Sequence, residues 1–125
     1  MSLTLIIGLP GSGKTTLGRS LPGIYFDDFL QTMYDGRLYE AILNGHDVVA
    51  SDPRLCNFRT FKKVVSHFTK VKLILFKNNP HRCYTNCLIR GNMPQIKHDI
   101  DFWSDLYEID NYTSWDHEII SVYKS

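Results

Sequence analysis

Residues 3 to 16 read LTLIIGLPGSGKTT, and this stretch decides the fold. Leu3 to Ile7 is a short apolar run rich in β-branched residues and stopped by Gly8, the signature of a buried strand. Leu17 and Leu21 follow at helical spacing, and Pro22-Gly23 ends that helix. Between strand and helix, Gly8 to Thr15 satisfies G-x-x-x-x-G-K-[ST]. Glycines at these places let the backbone curl until successive N–H groups face one anion. The positive end of the following helix points at the same anion.

Working outward, Ile24 to Phe26 forms a second short strand, followed at once by Asp27-Asp28. Phe29, Leu30 and Met33 suggest a helical turn, and Leu38 to Leu43 a helix closed by Asn44-Gly45. Val48 to Ala50 is a third strand that ends in Ser51-Asp52-Pro53. Asn57 can cap a helix whose apolar stripe is Phe58, Phe61, Val64, Val65 and Phe68. Val71 to Phe76 is the fourth strand, and Asn79-Pro80 opens a helix running toward Arg90-Gly91. Ile96, Ile100, Trp103 and Tyr107 recur at helical spacing, which makes Trp103 a core residue, and Ile119 to Tyr123 reads as a fifth strand. Strands alternating with helices predict an α/β, three-layer P-loop NTPase fold. Its mostly parallel sheet has about five strands, with helices on both faces.

The 125 residues suffice for one domain, read here as residues 1–125, and a hydrophobic content of 43% argues against disorder. No apolar run approaches the roughly 18 residues of a membrane span. The N-terminus lacks the basic region and cleavage site of a signal peptide. Cys56, Cys83 and Cys87 are odd in number and read as free thiols in a reducing, cytoplasmic setting. The net charge of +1 hides an asymmetry. Residues 51–97 carry ten Lys/Arg against one Asp, while residues 98–125 carry one Lys against seven Asp/Glu. Either the basic segment faces an anionic partner or the acidic tail folds over it.

The motif predicts ATP and Mg²⁺ as ligands. Gly8, Leu9, Pro10, Gly11, Ser12, Gly13, Lys14, Thr15 and Thr16 would cradle the nucleotide, with Lys14 on the β- and γ-phosphates and the Thr15 hydroxyl on the metal. Ligands of parallel sheets lie at the carboxyl ends of the strands. Asp27, Asp28 and Asp52 all fall there. Asp27, first off its strand, is the candidate general base; Asp28 either contacts substrate or caps the next helix. Asp52, after an apolar run of Walker B shape, is the candidate for holding Mg²⁺ and contacting the acceptor. Arg54 could grip an acceptor phosphate bidentately. Arg82 and Arg90 flank a lid over about residues 82–97, with Arg90 neutralising charge on the transferred group and Arg82 assisting on the nucleotide. The segment FKNNPHR lacks the Asn-Lys-x-Asp of a guanine switch.

GLPGSGKTT, YFDDFL, VVASDPRLCNFRTF and FKNNPHRCYTNCLIRGNMP together resemble the 5′-hydroxyl polynucleotide kinases of bacteriophages and, more broadly, zeta-toxin-like P-loop kinases. The resemblance spans Leu3 to Tyr107. It implies Asp27 as base toward a 5′-hydroxyl, Lys14 and Thr15 at the ATP and metal positions, and Arg90 as the second lid arginine. Two positions depart from that pattern: Asn86 stands where the first lid arginine falls, and Leu30 where an arginine contacts substrate phosphate. Asp52-Pro53-Arg54 is also similar to a segment of nucleoside monophosphate kinases. The leading expectation is γ-phosphoryl transfer to a hydroxyl of a phosphate-bearing acceptor, a polynucleotide 5′ end or a nucleotide. The alternatives are a small-molecule kinase and a nucleotide-binding module or weak ATPase.

Overall fold

The computed structural model describes residues 2–91 and 95–124. Among the described residues five strands and six helices follow in order: β1 Leu3–Ile7, α1 Lys14–Ser20, β2 Ile24–Phe26, α2 Phe29–Tyr34, α3 Arg37–Leu43, β3 Val48–Ser51, α4 Phe58–Val65, β4 Val71–Phe76, α5 Pro80–Ile89, α6 Gln95–Leu106 and β5 Asp116–Ile120. Short 3₁₀ turns cover Pro53–Cys56 and Ile109–Tyr112. The strands form one parallel sheet in the order β2-β3-β1-β4-β5, with helices on both faces. The α/β P-loop architecture expected from the sequence is the one observed.

β1 lies at the centre, in register with Val48 of β3 and Val71 of β4 through Leu3. Central parallel strands are covered on both faces and therefore read as nearly unbroken apolar runs. Leu5, Ile6, Ile7, Val48, Ala50, Leu73 and Leu75 are accordingly buried. On α4, Phe61, Val64 and Val65 turn inward as the stripe predicted. Phe61 meets Tyr112 and Trp115 edge-on at 4.9 and 5.0 Å between centroids. The phenols of Tyr107 and Tyr112 reach the backbone carbonyls of Phe76 and Leu55, each at 2.6 Å. These bonds satisfy the polar tips of two buried aromatics.

One boundary differs. The fifth strand is Asp116–Ile120, three residues earlier than Ile119–Tyr123. An edge strand is held by backbone bonds on one side and needs no apolar run. Its register with β4 pairs Lys72 with Asp116 and Phe76 with Ile120. The apolar residues that suggested a later start are Ile119, which is exposed, and Val122, which is buried beyond the strand end. The region expected to form a lid comprises the body of α5, Arg90-Gly91 and the start of α6; Asn92, Met93 and Pro94 lie outside the described residues.

Candidate active site

The three strands that lead into candidate residues end at the same edge of the sheet. The loop after β1 holds the glycine-rich motif, Asp27 leaves β2, and Ser51 ends β3. The order β2-β3-β1-β4 reverses direction beside β1, which opens a crevice above its carboxyl end.

The motif adopts the curl its glycines allow. Gly11 and Gly13 have φ of 85° and 108°, a left-handed region that side chains with a Cβ rarely adopt. Ser12 N donates to Leu9 O at 3.1 Å and closes the turn. Lys14 folds back across the loop, its Nζ donating to Gly8 O at 2.9 Å and Leu9 O at 2.8 Å. Burial pulls the Lys14 ammonium below the usual lysine pKa, partly offset by Cys56, Cys83 and Asp52. An anion beside this half-buried cation would offset its desolvation. Ser12 Oγ is buried with no hydrogen-bond partner among the described residues. The first N–H groups of α1 have no intrahelical acceptor, as at any helix start.

The loop forms one wall of a cleft of about 250 Å³, from Pro10 through Gly11, Gly13, Lys14 and Thr15 to Thr16. The facing wall is Asp27, Ser51, Pro53 and Arg90. The structure thus gathers Lys14, Thr15, Asp27 and Arg90 on one cavity. Gly8 and Leu9 lie buried behind the loop and serve it through their carbonyls.

Four candidates stand elsewhere. Asp52 is 1% exposed and is not on the cleft. Its carboxylate accepts from Leu30 N at 3.1 Å, and from Arg54 N, Nε and Nη2 at 3.0, 2.9 and 2.8 Å. A carboxylate offers about four acceptor positions, and these bonds fill them. Here Asp52, expected as metal ligand and substrate contact, clamps the start of α2 to the end of β3 and lies off the cleft wall. Arg54 is correspondingly committed to Asp52 and does not line the cleft. Asp28 takes the N-cap position of α2 without a capping bond, its carboxylate instead meeting Arg37 Nη2 at 3.0 Å. Arg82 lies in the first turn of α5, where its N–H donates to the Asn79 side chain, and it is absent from the cleft wall.

Two residues on the site escaped the sequence reading. Ser51 lines the cleft, its hydroxyl 2.6 Å from the Tyr25 phenol. A small hydroxyl residue at the strand's last position was the available signal. Asn86 is buried under the loop, donating to Gly11 O at 3.0 Å and Tyr123 O at 2.9 Å. Nothing in the local sequence announces contacts 75 and 37 residues away.

The residues fit a nucleoside triphosphate. A half-buried ammonium, an orphaned hydroxyl and helix-start N–H groups without intrahelical acceptors all suit a polyphosphate. Among the described residues no group of three or more His, Cys, Asp or Glu could hold a metal. Mg²⁺ nevertheless fits, because it commonly takes one or two protein oxygens and completes its shell with phosphate and water. The Thr15 hydroxyl on the cleft wall would supply such an oxygen. A second cavity of about 260 Å³ shares Gly13 and Thr16 with the cleft and is walled by Leu17, Phe76, Ile120 and Tyr123.

The chain is 35% identical over 134 residues to uncharacterized protein R277 of Acanthamoeba polyphaga mimivirus, covering 98% of this chain and 97% of that one. It belongs to the family of that mimivirus protein. No protein-family model matches the chain. Its fold is shared with shikimate kinase from Acinetobacter baumannii, solved in complex with shikimate, at a TM-score of 0.61 and 15% identity, covering 100% of this chain and 86% of that one. Shikimate kinase from Bacteroides thetaiotaomicron gives a TM-score of 0.54 at 16% identity, covering 97% and 86%. These likenesses show the P-loop NTPase fold for this chain. Among the described residues no helix is long and apolar enough to cross a membrane.

Proposed function

We propose that the chain is an ATP-dependent phosphotransferase acting on a hydroxyl of a small acceptor. The observation that carries this reading is the gathering of Lys14, Thr15, Asp27 and Arg90 on one cleft. Lys14 holds the β- and γ-phosphates, leaving the carbonyls of Gly8 and Leu9 as anion enters. The N–H groups of the loop and of the first turn of α1 orient the phosphate oxygens. The Thr15 hydroxyl would hold Mg²⁺ brought in with the nucleotide, and that ion would supply charge neutralisation on the phosphates. Asp27, exposed on the opposite wall, takes the proton of the attacking hydroxyl. Arg90 faces the cleft and neutralises charge that builds on the transferred group. The apolar cavity beyond Gly13 and Thr16 receives the base.

A small acceptor is favoured over the polynucleotide 5′ end that the basic middle segment suggested. Three of the ten cations in that segment are already paired within the chain. Lys72 meets Glu118 at 3.5 Å, Lys97 meets Asp101 at 2.7 Å, and Arg54 is held by Asp52. Leu30, where the resembling phage enzymes carry a phosphate-contacting arginine, packs against the core. A fold neighbour was solved with a small molecule, shikimate, bound.

The test is transfer of label from ATP, run in parallel over small hydroxylated molecules and 5′-hydroxyl oligonucleotides. Label on a small acceptor, absent with Lys14→Ala, supports the reading. Transfer to oligonucleotides alone overturns the acceptor assignment, and ATP binding without transfer to any hydroxyl overturns the kinase.

A further inference from the structure

Asn86 occupies the middle of α5 and is 1% exposed. A primary amide has two N–H donors. Here one goes to Gly11 O at 3.0 Å and the other to Tyr123 O at 2.9 Å. One side chain therefore joins the phosphate loop, α5 and the segment that follows β5.

The packing around this amide leaves little slack. A Cβ placed on Gly11 would lie 2.5 Å from Cys83 O and 2.6 Å from Cys87 Sγ, so the loop rests directly on α5. A Cβ on Gly13 would lie 2.8 Å from Tyr123 Cδ1, so the Tyr123 ring covers the loop from the other side. Tyr123 also walls the apolar cavity that adjoins the cleft. The loop is gripped between α5 and the segment that follows β5, and Asn86, on α5, bonds to the loop and to that segment.

We propose that Asn86 is a positioning residue that couples residues 121–124 to the phosphate loop, so that the base-side wall and the phosphate cradle are set together. This rests on the cleft being a nucleotide site. The carbonyl of Gly11 belongs to the peptide whose turn aims the next N–H groups. The carbonyl of Tyr123 fixes the backbone that carries the aromatic wall. Freeing one carbonyl loosens phosphate contacts; freeing the other loosens base contacts. A nucleotide that uses both regions loses more than a bare polyphosphate that uses one.

The experiment measures the affinity of the full-length protein for MgATP and for inorganic tripolyphosphate, in wild type and in Asn86→Ala. Amide hydrogen exchange is followed in the same samples. The bonds to Gly11 and Tyr123 are both lost, each contributing a factor of about two to ten. Tripolyphosphate should weaken about threefold and ATP about tenfold or more, lowering the preference for ATP. In wild type, tripolyphosphate should slow exchange at residues 121–124, and Asn86→Ala should abolish that slowing. Asn86→Ser, which keeps one donor in a small side chain, is read in the same way if the alanine variant does not fold. Unchanged affinities in a variant whose β1 and β4 amides keep native protection overturn the proposal. So does equal weakening of both ligands with tail exchange unmoved. A wild-type protein that binds neither ligand overturns the nucleotide reading itself, and this proposal with it.

Discussion

Lys14 and Asp27 face one cleft from opposite walls, and their replacements should separate binding from turnover. Lys14→Ala should abolish transfer and weaken nucleotide binding at least tenfold, because it removes the cation held at Gly8 and Leu9. Asp27→Asn should leave ATP affinity within about threefold while lowering turnover by about 10²–10⁴. Isothermal titration beside single-turnover kinetics reads both. Lys14 also sets a pH dependence. Burial depresses its pKa in the free protein, and a bound polyphosphate raises it. Anion binding therefore takes up a proton once the free ammonium begins to titrate, and affinity falls as pH rises. That fall should begin below the ordinary lysine value of 10.5. Tripolyphosphate titrations from neutral to alkaline pH check it; a fall centred on 10.5 would show an unperturbed lysine. Asp52→Ala should cost about 1–3 kcal/mol, chiefly by leaving Leu30 N buried without an acceptor and freeing Arg54. Urea unfolding measures that loss.

At the scale of elements, legibility followed the local physics. The strand, glycine loop and helix around Gly8 to Thr15 were readable because the backbone requirement lies within the motif itself. β4 and the stripe of α4 were readable because each buries a regular apolar pattern. β5 was placed late because an edge strand's pairing is a backbone property, invisible to a search for apolar runs. Asp52 read as a metal ligand because its position after β3 has the right shape. That its carboxylate closes on Arg54, two residues on, depends on the 3₁₀ turn over Pro53–Cys56, which the sequence did not announce. The aromatic cluster of Phe58, Phe61, Tyr112 and Trp115 joins segments about fifty residues apart and was legible only in its α4 half. Phe61→Ala should destabilise by about 3–5 kcal/mol, measured as a shift in the unfolding midpoint at constant slope. A loss under 1 kcal/mol would mean the cluster adds little to the core.

Across the whole molecule, the charge asymmetry resolves into architecture. The acidic segment pairs along the basic one: β5 lies beside β4, and Glu118 answers Lys72. Two acidic residues of that segment, Asp101 and Glu118, meet lysines of the basic one, and the positive charge on the cleft wall is local, from Lys14 and Arg90. The three cysteines belong to the same packed interior. All are free and buried, and burial pushes the Cys56 thiol up to about 12 and the Cys83 thiol up to about 11. Neither forms thiolate near neutral pH, so both should resist thiol reagents at pH 8 until the protein unfolds. Labelling with and without denaturant, resolved by mass spectrometry, checks this; rapid native labelling of Cys56 would mean the β3 side of the loop opens. The central claim spans all three scales, since it needs the cation, the base, and the sheet edge that brings them together. It is tested most directly by following the transfer of label from MgATP to small hydroxylated acceptors in wild type and Asp27→Asn. The account predicts transfer by wild type and its loss in a variant that still binds ATP. Full transfer by Asp27→Asn, or ATP bound with no hydroxyl ever labelled, would contradict it.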